Sequence, residues 1–440
     1  MKIFNVLLLL LVSHSLQVAA QWKKYEIDAT PLHRSQKAVS DIIVHDVFSP
    51  PVASRIFAYA NIAAYEIQVG QTERFQSLNG IVKGFNKIPV PADSNKLSYS
   101  LSATVAYLKV AGKMVFSEDM ISDSTKNILK WYELKGYPKE IIQNSISYGQ
   151  TVADSVIAFS LKDNYLETRR MRRYSFLKKE GNWRPTPPGY MAAVEPNWHK
   201  IKPLVMNTPD QFKPLPPVPY STDKKSDFYK TANEVYLSVK NITDDQLLIA
   251  NFWDCNPFYL NTRGHLNFAT KKISPGAHWL SIAGIATRSK NADYMLASAA
   301  YTYTSISLFD AFISCWDEKY RSNYIRPETF INSHIDESWK PILQTPPFPE
   351  YPSGHSVAST AAASILTALL GDHFTFNDDT EIDYGLPVRK FRSFNEAANE
   401  AAISRLYGGI HYREAIVNGQ TQGKALGEFI RAKLRINSLQ

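Results

Sequence analysis

Three short stretches toward the C-terminal end collect residue types that can hold an oxyanion. "SCWDEKYRSNYIRP" carries Lys319 and Arg326. "PPFPEYPSGHSVASTAAASILTALLGD" carries Ser353, Gly354 and His355 at the mouth of an Ala-rich helical run. "SFNEAANEAAISRLYGGIHYREA" carries Arg405 and His411. Three cations can neutralise a tetrahedral oxyanion, and two of them are guanidiniums, which bind oxygens in pairs. A serine hydroxyl and a glycine N–H at a helix start add donors where the helix dipole is positive. Two histidines, with an ordinary pKa of about 6.5, can ligate or exchange protons near neutral pH. Each stretch also has an ordinary reading when taken alone. Lys319 and Arg326 would then lie on a solvated basic face, Ser353 would be an N-cap, and the histidines would be structural.

The elements that must position these residues are helices. Lys319 and Arg326 are two helical turns apart, so they share a face if one helix continues through both, although Pro327 disfavours helix at Arg326 and puts it at a helix end. Ser353 precedes a helix over Ser356–Leu370. Ser393 and Glu396 make a capping box that starts a helix at Phe394, ending near Tyr407. On one straight helix Arg405 and His411 would point roughly 120° apart. Gly408-Gly409 must therefore turn the chain if both are to serve one site. Upstream, helical spacing covers Ser35 to about Gln68 with a break at Pro50-Pro51, then Leu97 to Leu161, Asp227–Ile249 and roughly Gly276–Arg321; Gly419–Arg435 closes the chain. The stretch Asn182–Ser221 is too rich in proline for regular structure, and its Trp and Tyr content marks an ordered, packed connector. Strand patterns are scarce. The fold class is mostly α, with a helical bundle in the second half.

Composition narrows the function. The first residues, "MKIFNVLLLLLVSHSLQVAA", read as a secretory signal peptide over 1–20, with Lys2, an apolar run and small residues before Gln21. Export by a Sec-type signal, to the periplasm or the medium, is the expected localisation. The remaining chain divides into an N-terminal helical region with its connector, 21–221, and a C-terminal bundle carrying the site, 222–440. Loss of Lys2 takes the formal charge of +8 to +7, mildly basic for 440 residues and without an arginine-rich run, so nucleic-acid binding is not supported. No apolar run after the signal is long enough to span a membrane. The two cysteines, Cys255 and Cys315, could pair in an oxidising compartment or stay free. Asn241-Ile242-Thr243 matches a glycosylation triplet and is given no role. Nothing here fixes the oligomeric state, and a monomer is compatible with every reading.

Taken in order, Lys-x6-Arg-Pro, Pro-Ser-Gly-His and Ser-Arg-x5-His resemble the three-part signature of the vanadium haloperoxidase and type-2 acid phosphatase superfamily. All seven site positions match, within about the last quarter of the chain. Trp316, three residues before Lys319, and Phe348, five before Ser353, are similar to the haloperoxidase branch. So are "IANFWDCNPF" around Asp254 and "FSPPVASRIFAYANIAAYE" in the first half. The bacterial iodoperoxidase type is the nearest resemblance. One departure stands out. Many superfamily members continue His-x3-Asp, whereas Ala415 follows His411 here and Glu414 would face another way. A carboxylate that orients the histidine is then missing or comes from elsewhere.

The resemblance implies a mostly α fold of the haloperoxidase type and vanadate as cofactor. Lys319, Arg326, Ser353, Gly354 and Arg405 would hold its oxygens, with His411 as the ligand to vanadium. It implies that His355 is the acid/base, that Lys319 assists the bound peroxide, and that Trp316 and Phe348 shape the halide side. Asp254 is the candidate to orient His355. Hydrogen peroxide and a halide, iodide above all, are the implied partners, with a small organic acceptor possible in addition. Hypohalous acid is the product, and vanadium keeps its oxidation state. Two other readings use the same residues. One is an exported acid phosphatase in which His411 attacks phosphorus. The other is a non-catalytic helical protein that only binds an oxyanion.

Overall fold

Side-chain caps and helix-starting prolines set where the helices begin. The computed structural model describes residues 21–263, 266–269 and 272–436; the expected signal peptide lies outside them. The first half forms α1 (Thr30–His45), α2 (Pro50–Val69), α3 (Tyr99–Gly112), α4 (Glu118–Leu134), α5 (Lys139–Ser160) and the short α6 (Tyr165–Arg170). The second half forms α7 (Asp227–Lys240), α8 (Asp244–Phe252), α9 (Pro275–Ser289), α10 (Tyr294–Ser322), α11 (Pro327–His334), α12 (Gly354–Leu370), α13 (Phe394–Tyr407) and α14 (Arg413–Lys433). Two small antiparallel hairpins complete it, β1 (Leu260–Arg263) with β2 (Leu266–Ala269), and β3 (Phe376–Asp378) with β4 (Arg389–Phe391). The mostly α fold expected from the sequence is what forms. Among the described residues, no helix is long and apolar enough to cross a membrane.

Several boundaries differ from the periodicity for local reasons. The apolar spacing over Asp227–Ile249 splits into α7 and α8, because Thr243 starts a new helix through a reciprocal capping box with Gln246. The run over Gly276–Arg321 splits likewise, since the Asp293 side chain caps the first turn of α10. Lys319 and Arg326 do not share a helix. Asn323, left-handed at φ 48°, ends α10, and Arg326 is the N-cap residue of α11, with Pro327 in its first turn. The capping box at Ser393 is only half made. Ser393 accepts from the Glu396 N–H at 3.1 Å, but the Glu396 carboxylate accepts from the Arg392 N–H instead.

α10 is the axis of the molecule. Nearly every residue from Tyr294 to Lys319 is buried, small hydroxyl residues and Asp310 included, because other helices enclose it. It packs against α2 from the first half and α9 and α12 from the second. One apolar core runs through both halves, with Ile56, Tyr107, Phe309 and Ala361 among its fully buried members. The proline-rich connector is ordered, with Trp183 and Trp198 buried. It is held to α10 by Asp310, whose carboxylate accepts the N–H groups of Leu204, Val205 and Met206 at 2.8, 2.8 and 2.7 Å. α12 and α14 approach closely because α14 turns Gly419, Gly423 and Gly427 toward α12. A Cβ at Gly423 would collide with the Val357 carbonyl oxygen. This close packing brings the start of α14, just after His411, against the start of α12.

Candidate active site

Ser353 begins the site. Its hydroxyl accepts the Ser356 N–H at 3.3 Å, capping α12, and its own N–H donates to the Ala415 carbonyl at 3.0 Å. That bond ties the α12 entry to α14 and leaves the N–H groups of the first turn of α12 without helical partners. Gly354 lies over the other side of the site: a Cβ there would sit 3.6 Å from Trp316 and 3.9 Å from Lys319. The turn that lets Arg405 and His411 converge is made by Gly409, at φ 76°, a left-handed conformation that glycine adopts without strain.

The three cations are all buried, and each is fixed by carbonyl groups. Arg326 donates from Nε to the Phe348 carbonyl at 3.0 Å and from Nη1 to the Ile410 carbonyl at 2.8 Å, and Nη1 lies 3.2 Å from His411 Nε2. Arg405 donates from Nε to Ser404 Oγ at 2.9 Å and from Nη2 to the Trp253 carbonyl at 2.6 Å. Lys319 Nζ donates to the carbonyls of Pro349, Glu350 and Pro352 at 3.1, 3.0 and 2.5 Å. Three acceptors match the three donors of an ammonium. The donor expected to face a bound oxygen is therefore committed to the loop before Ser353. Lys319 contributes its charge and the shape of that loop, and it could reach an oxygen only by exchanging one of these carbonyls.

His411 is held by a carboxylate that the motifs do not contain. Glu350 Oε1 accepts from His411 Nδ1 at 2.8 Å and from the Tyr412 N–H at 3.0 Å. This answers the Ala415 departure. Position 415 is fully buried where its carbonyl accepts from Ser353, and the orienting carboxylate arrives instead from the loop before α12. With its proton on Nδ1, His411 presents the Nε2 lone pair toward Arg326. Burial, then the charges of Arg326 and Lys319, hold His411 well below its ordinary range, so it is neutral. Burial pushes Glu350 up to about 8, opposed by Arg326 and Lys319, and pushes Lys319 down to about 7.

His355 is also neutral, held well below 6.5 by burial and then by Arg405. Its ring donates to the Trp253 backbone, while Nε2 is buried without a partner. Asp254, expected to orient this histidine, bonds Lys272 instead. The carbonyl of the preceding residue, Trp253, does that work, and it serves Arg405 as well. Asp254 still borders the same cavity. Trp316 and Phe348 form one wall, with ring centroids 5.0 Å apart. Phe348 lies 5.1 Å from both Lys319 Nζ and the Arg326 guanidinium carbon.

Gly354, His355, Arg405 and His411 line a cavity of about 30 Å³. It is roomier than the roughly 10–15 Å³ one water needs, and much smaller than the roughly 300 Å³ of an organic-ligand pocket. Three buried side-chain nitrogens at or beside this cavity have no hydrogen-bond partner among the described residues, Arg326 Nη2, His355 Nε2 and Asn256 Nδ2. Buried charge normally finds a counter-charge. Here Arg326 has Glu350 and Glu328 as acidic neighbours, Lys319 has Glu350, and Arg405 and Lys272 share Asp254. The donor set fits a small oxyanion. Cys255 and Cys315 are free thiols, both buried, so the open question of their pairing resolves against a disulfide.

Keeping two histidines neutral carries a stability consequence. The unfolded chain takes up protons below about pH 6.5 that folded His355 and His411 refuse, so these groups stabilise the fold above that pH and lose their contribution as pH falls. Denaturant midpoints are expected to fall from pH 7 to pH 5 more steeply in the wild type than in His411→Gln. Equal slopes would contradict a neutral His411.

The family described as the VCPO second helical-bundle domain matches residues 299–437. Among solved structures, the first bacterial vanadium-dependent iodoperoxidase is 48% identical with a TM-score of 0.88, covering 94% of this chain and 98% of its own. A holo-type bacterial vanadium-dependent chloroperoxidase is 15% identical at a TM-score of 0.66, over 89% of this chain and 93% of its own. The apo-type chloroperoxidase gives 14% and 0.64, over 88% and 94%. At that identity the two chloroperoxidases share the fold alone. No curated protein matches. The iodoperoxidase aligns across nearly the full length at an identity that carries family membership, so the chain belongs to the vanadium-dependent haloperoxidases.

Proposed function

We propose that this protein uses vanadate to oxidise iodide with hydrogen peroxide, giving hypoiodous acid. The observation that carries the reading is that Arg326 Nη2 and His355 Nε2 are buried without partners beside a small cavity lined by His355, His411 and the buried Arg405. Arg326, Arg405, Ser353 and Gly354 would hold the oxygens of vanadate, and His411 Nε2 would meet vanadium. When bound, vanadate supplies a Lewis acid that activates peroxide without changing its own oxidation state.

The chain's own residues do the rest. Glu350 fixes the His411 tautomer so that the lone pair is on Nε2. His355, anchored through its other ring nitrogen, offers Nε2 to take a proton from incoming peroxide and return it to the leaving oxygen. Phe348 and Trp316 keep that face dry, which strengthens the cations' hold on anions. The protein is expected to act after export, as a monomer, with peroxide and halide as its only obligatory partners; an organic acceptor would be halogenated outside the cavity by the released product.

Halide choice is tested directly with the vanadate-loaded protein. Iodide oxidation is expected to exceed bromide oxidation at equal concentration. A bromide rate equal to the iodide rate would overturn the iodide assignment while leaving the haloperoxidase reading in place.

A further inference from the structure

A second set of ligating atoms converges behind the cavity. Cys255 follows α8, His278 lies in the first turn of α9, and Glu381 lies in the loop after β3. All three are buried, and their donor atoms lie within 4.8 Å of one another. Cys255 Sγ is 3.5 Å from His278 Nδ1. Glu381 Oε1 pairs with the same nitrogen at 3.1 Å and has no other partner among the described residues. One ring nitrogen is thus shared by a thiol and a buried carboxylate oxygen. On the opposite edge of the ring, Nε2 lies 2.9 Å from Asp378 Oδ2, the arrangement by which a ligating histidine is oriented by a carboxylate. Zinc bonds to sulfur, nitrogen and oxygen at tetrahedral angles would separate the ligand atoms by about 3.3–3.6 Å, close to the spacings already present.

We propose that Cys255 Sγ, His278 Nδ1 and Glu381 bind one zinc-type divalent cation, with water in the fourth position. Binding exchanges the thiol proton and the Nδ1 proton for the metal and involves no electron transfer. The cation pins the segment that serves the oxyanion site. Trp253, two residues before Cys255, stacks on His278 with centroids 4.5 Å apart, and its carbonyl holds Arg405. Access is available from two sides, because Cys255 lines the oxyanion cavity while Asp379, Thr380 and Ile382 line an open surface cleft.

The test uses the mature protein, chelator-treated and free of vanadate, titrated with Co²⁺. One equivalent is expected to give tetrahedral-cobalt absorption with a thiolate-to-cobalt charge-transfer band, abolished by one equivalent of Zn²⁺. Cys255→Ser is expected to lose the charge-transfer band. Glu381→Gln, which keeps both other ligands, is expected to retain the band and bind at least about tenfold more weakly. Circular dichroism would show that both variants are folded. Absence of stoichiometric cobalt uptake by the folded wild type would overturn the proposal, as would a charge-transfer band that persists in Cys255→Ser and so arises from Cys315.

Discussion

His411→Ala is expected to abolish vanadate-dependent halide oxidation, by more than about 100-fold, without unfolding the protein. The magnitude follows from the position of the ring. Losing a group that only orients a metal ligand costs about 10–100-fold, and His411 is placed to be the ligand itself. The ring is fixed through Nδ1 by Glu350 at 2.8 Å, and its Nε2 accepts from Arg326 Nη1 at 3.2 Å, beside the unpartnered Nη2 of that arginine. The fold should survive because the deleted ring borders an existing cavity and the backbone bond from Tyr412 to Glu350 remains. Rate against vanadate concentration, with circular dichroism on the same sample, checks both halves. Wild-type-like turnover from a folded His411→Ala protein would remove the proposed mechanism.

Glu350 gives the second large effect. Glu350→Ala deletes the acceptor for His411 Nδ1 and the Tyr412 N–H. Vanadate affinity is expected to fall about 100-fold, and stability by about 1–3 kcal/mol for a buried donor left unsatisfied. Glu350→Gln keeps an oxygen that can accept from the histidine, so a smaller loss of affinity, about tenfold, is expected. Reconstitution curves for the two variants separate loss of the acceptor from its replacement. Unchanged affinity in Glu350→Ala would mean that His411 needs no orienting carboxylate.

Glu350 also shows where the sequence stops being legible. The seven motif residues are legible because their order and spacing are unusual together, and the structure brings Gly354, His355, Arg405 and His411 to one cavity, with Ser353 next to them as the cap of α12. Glu350 stood in plain view in "PPFPEYPSGH", a lone acid in a proline-rich apolar run, but nothing in its spacing pairs it with a residue 61 positions on. The link depends on how α12 and α14 pack, which is a long-range property. Asp254 failed as a partner for His355 for the opposite reason. Its place beside the site is right, but its side chain pairs with Lys272, and the backbone of Trp253 does the orienting. Backbone acceptors leave no trace in residue types. Lys319 was found for its charge, yet the use of its three donors on Pro349, Glu350 and Pro352 depends on the loop's path.

The helices divide the same way. The break at Pro50-Pro51 is where α2 starts, capped by Ser49, and Ser393 announces the start of α13, because caps and helix-starting prolines are local. The splits at Thr243 and Asp293 were hidden because the apolar spacing continues across them, and helical periodicity cannot report an interruption that keeps phase. The reach of α10 against α2 comes from burial on every side, which leaves no polar stripe to read.

Vanadate titration of purified protein stripped of metal and phosphate tests the central claim most directly. Triiodide formation from iodide and peroxide would be followed, with a phosphomonoester assayed in parallel. The account predicts saturable, vanadate-dependent iodide oxidation well above that of free vanadate, with negligible phosphomonoester cleavage. Phosphomonoester cleavage that vanadate inhibits, with no halide oxidation above free vanadate, would contradict it and make the same residues a phosphatase.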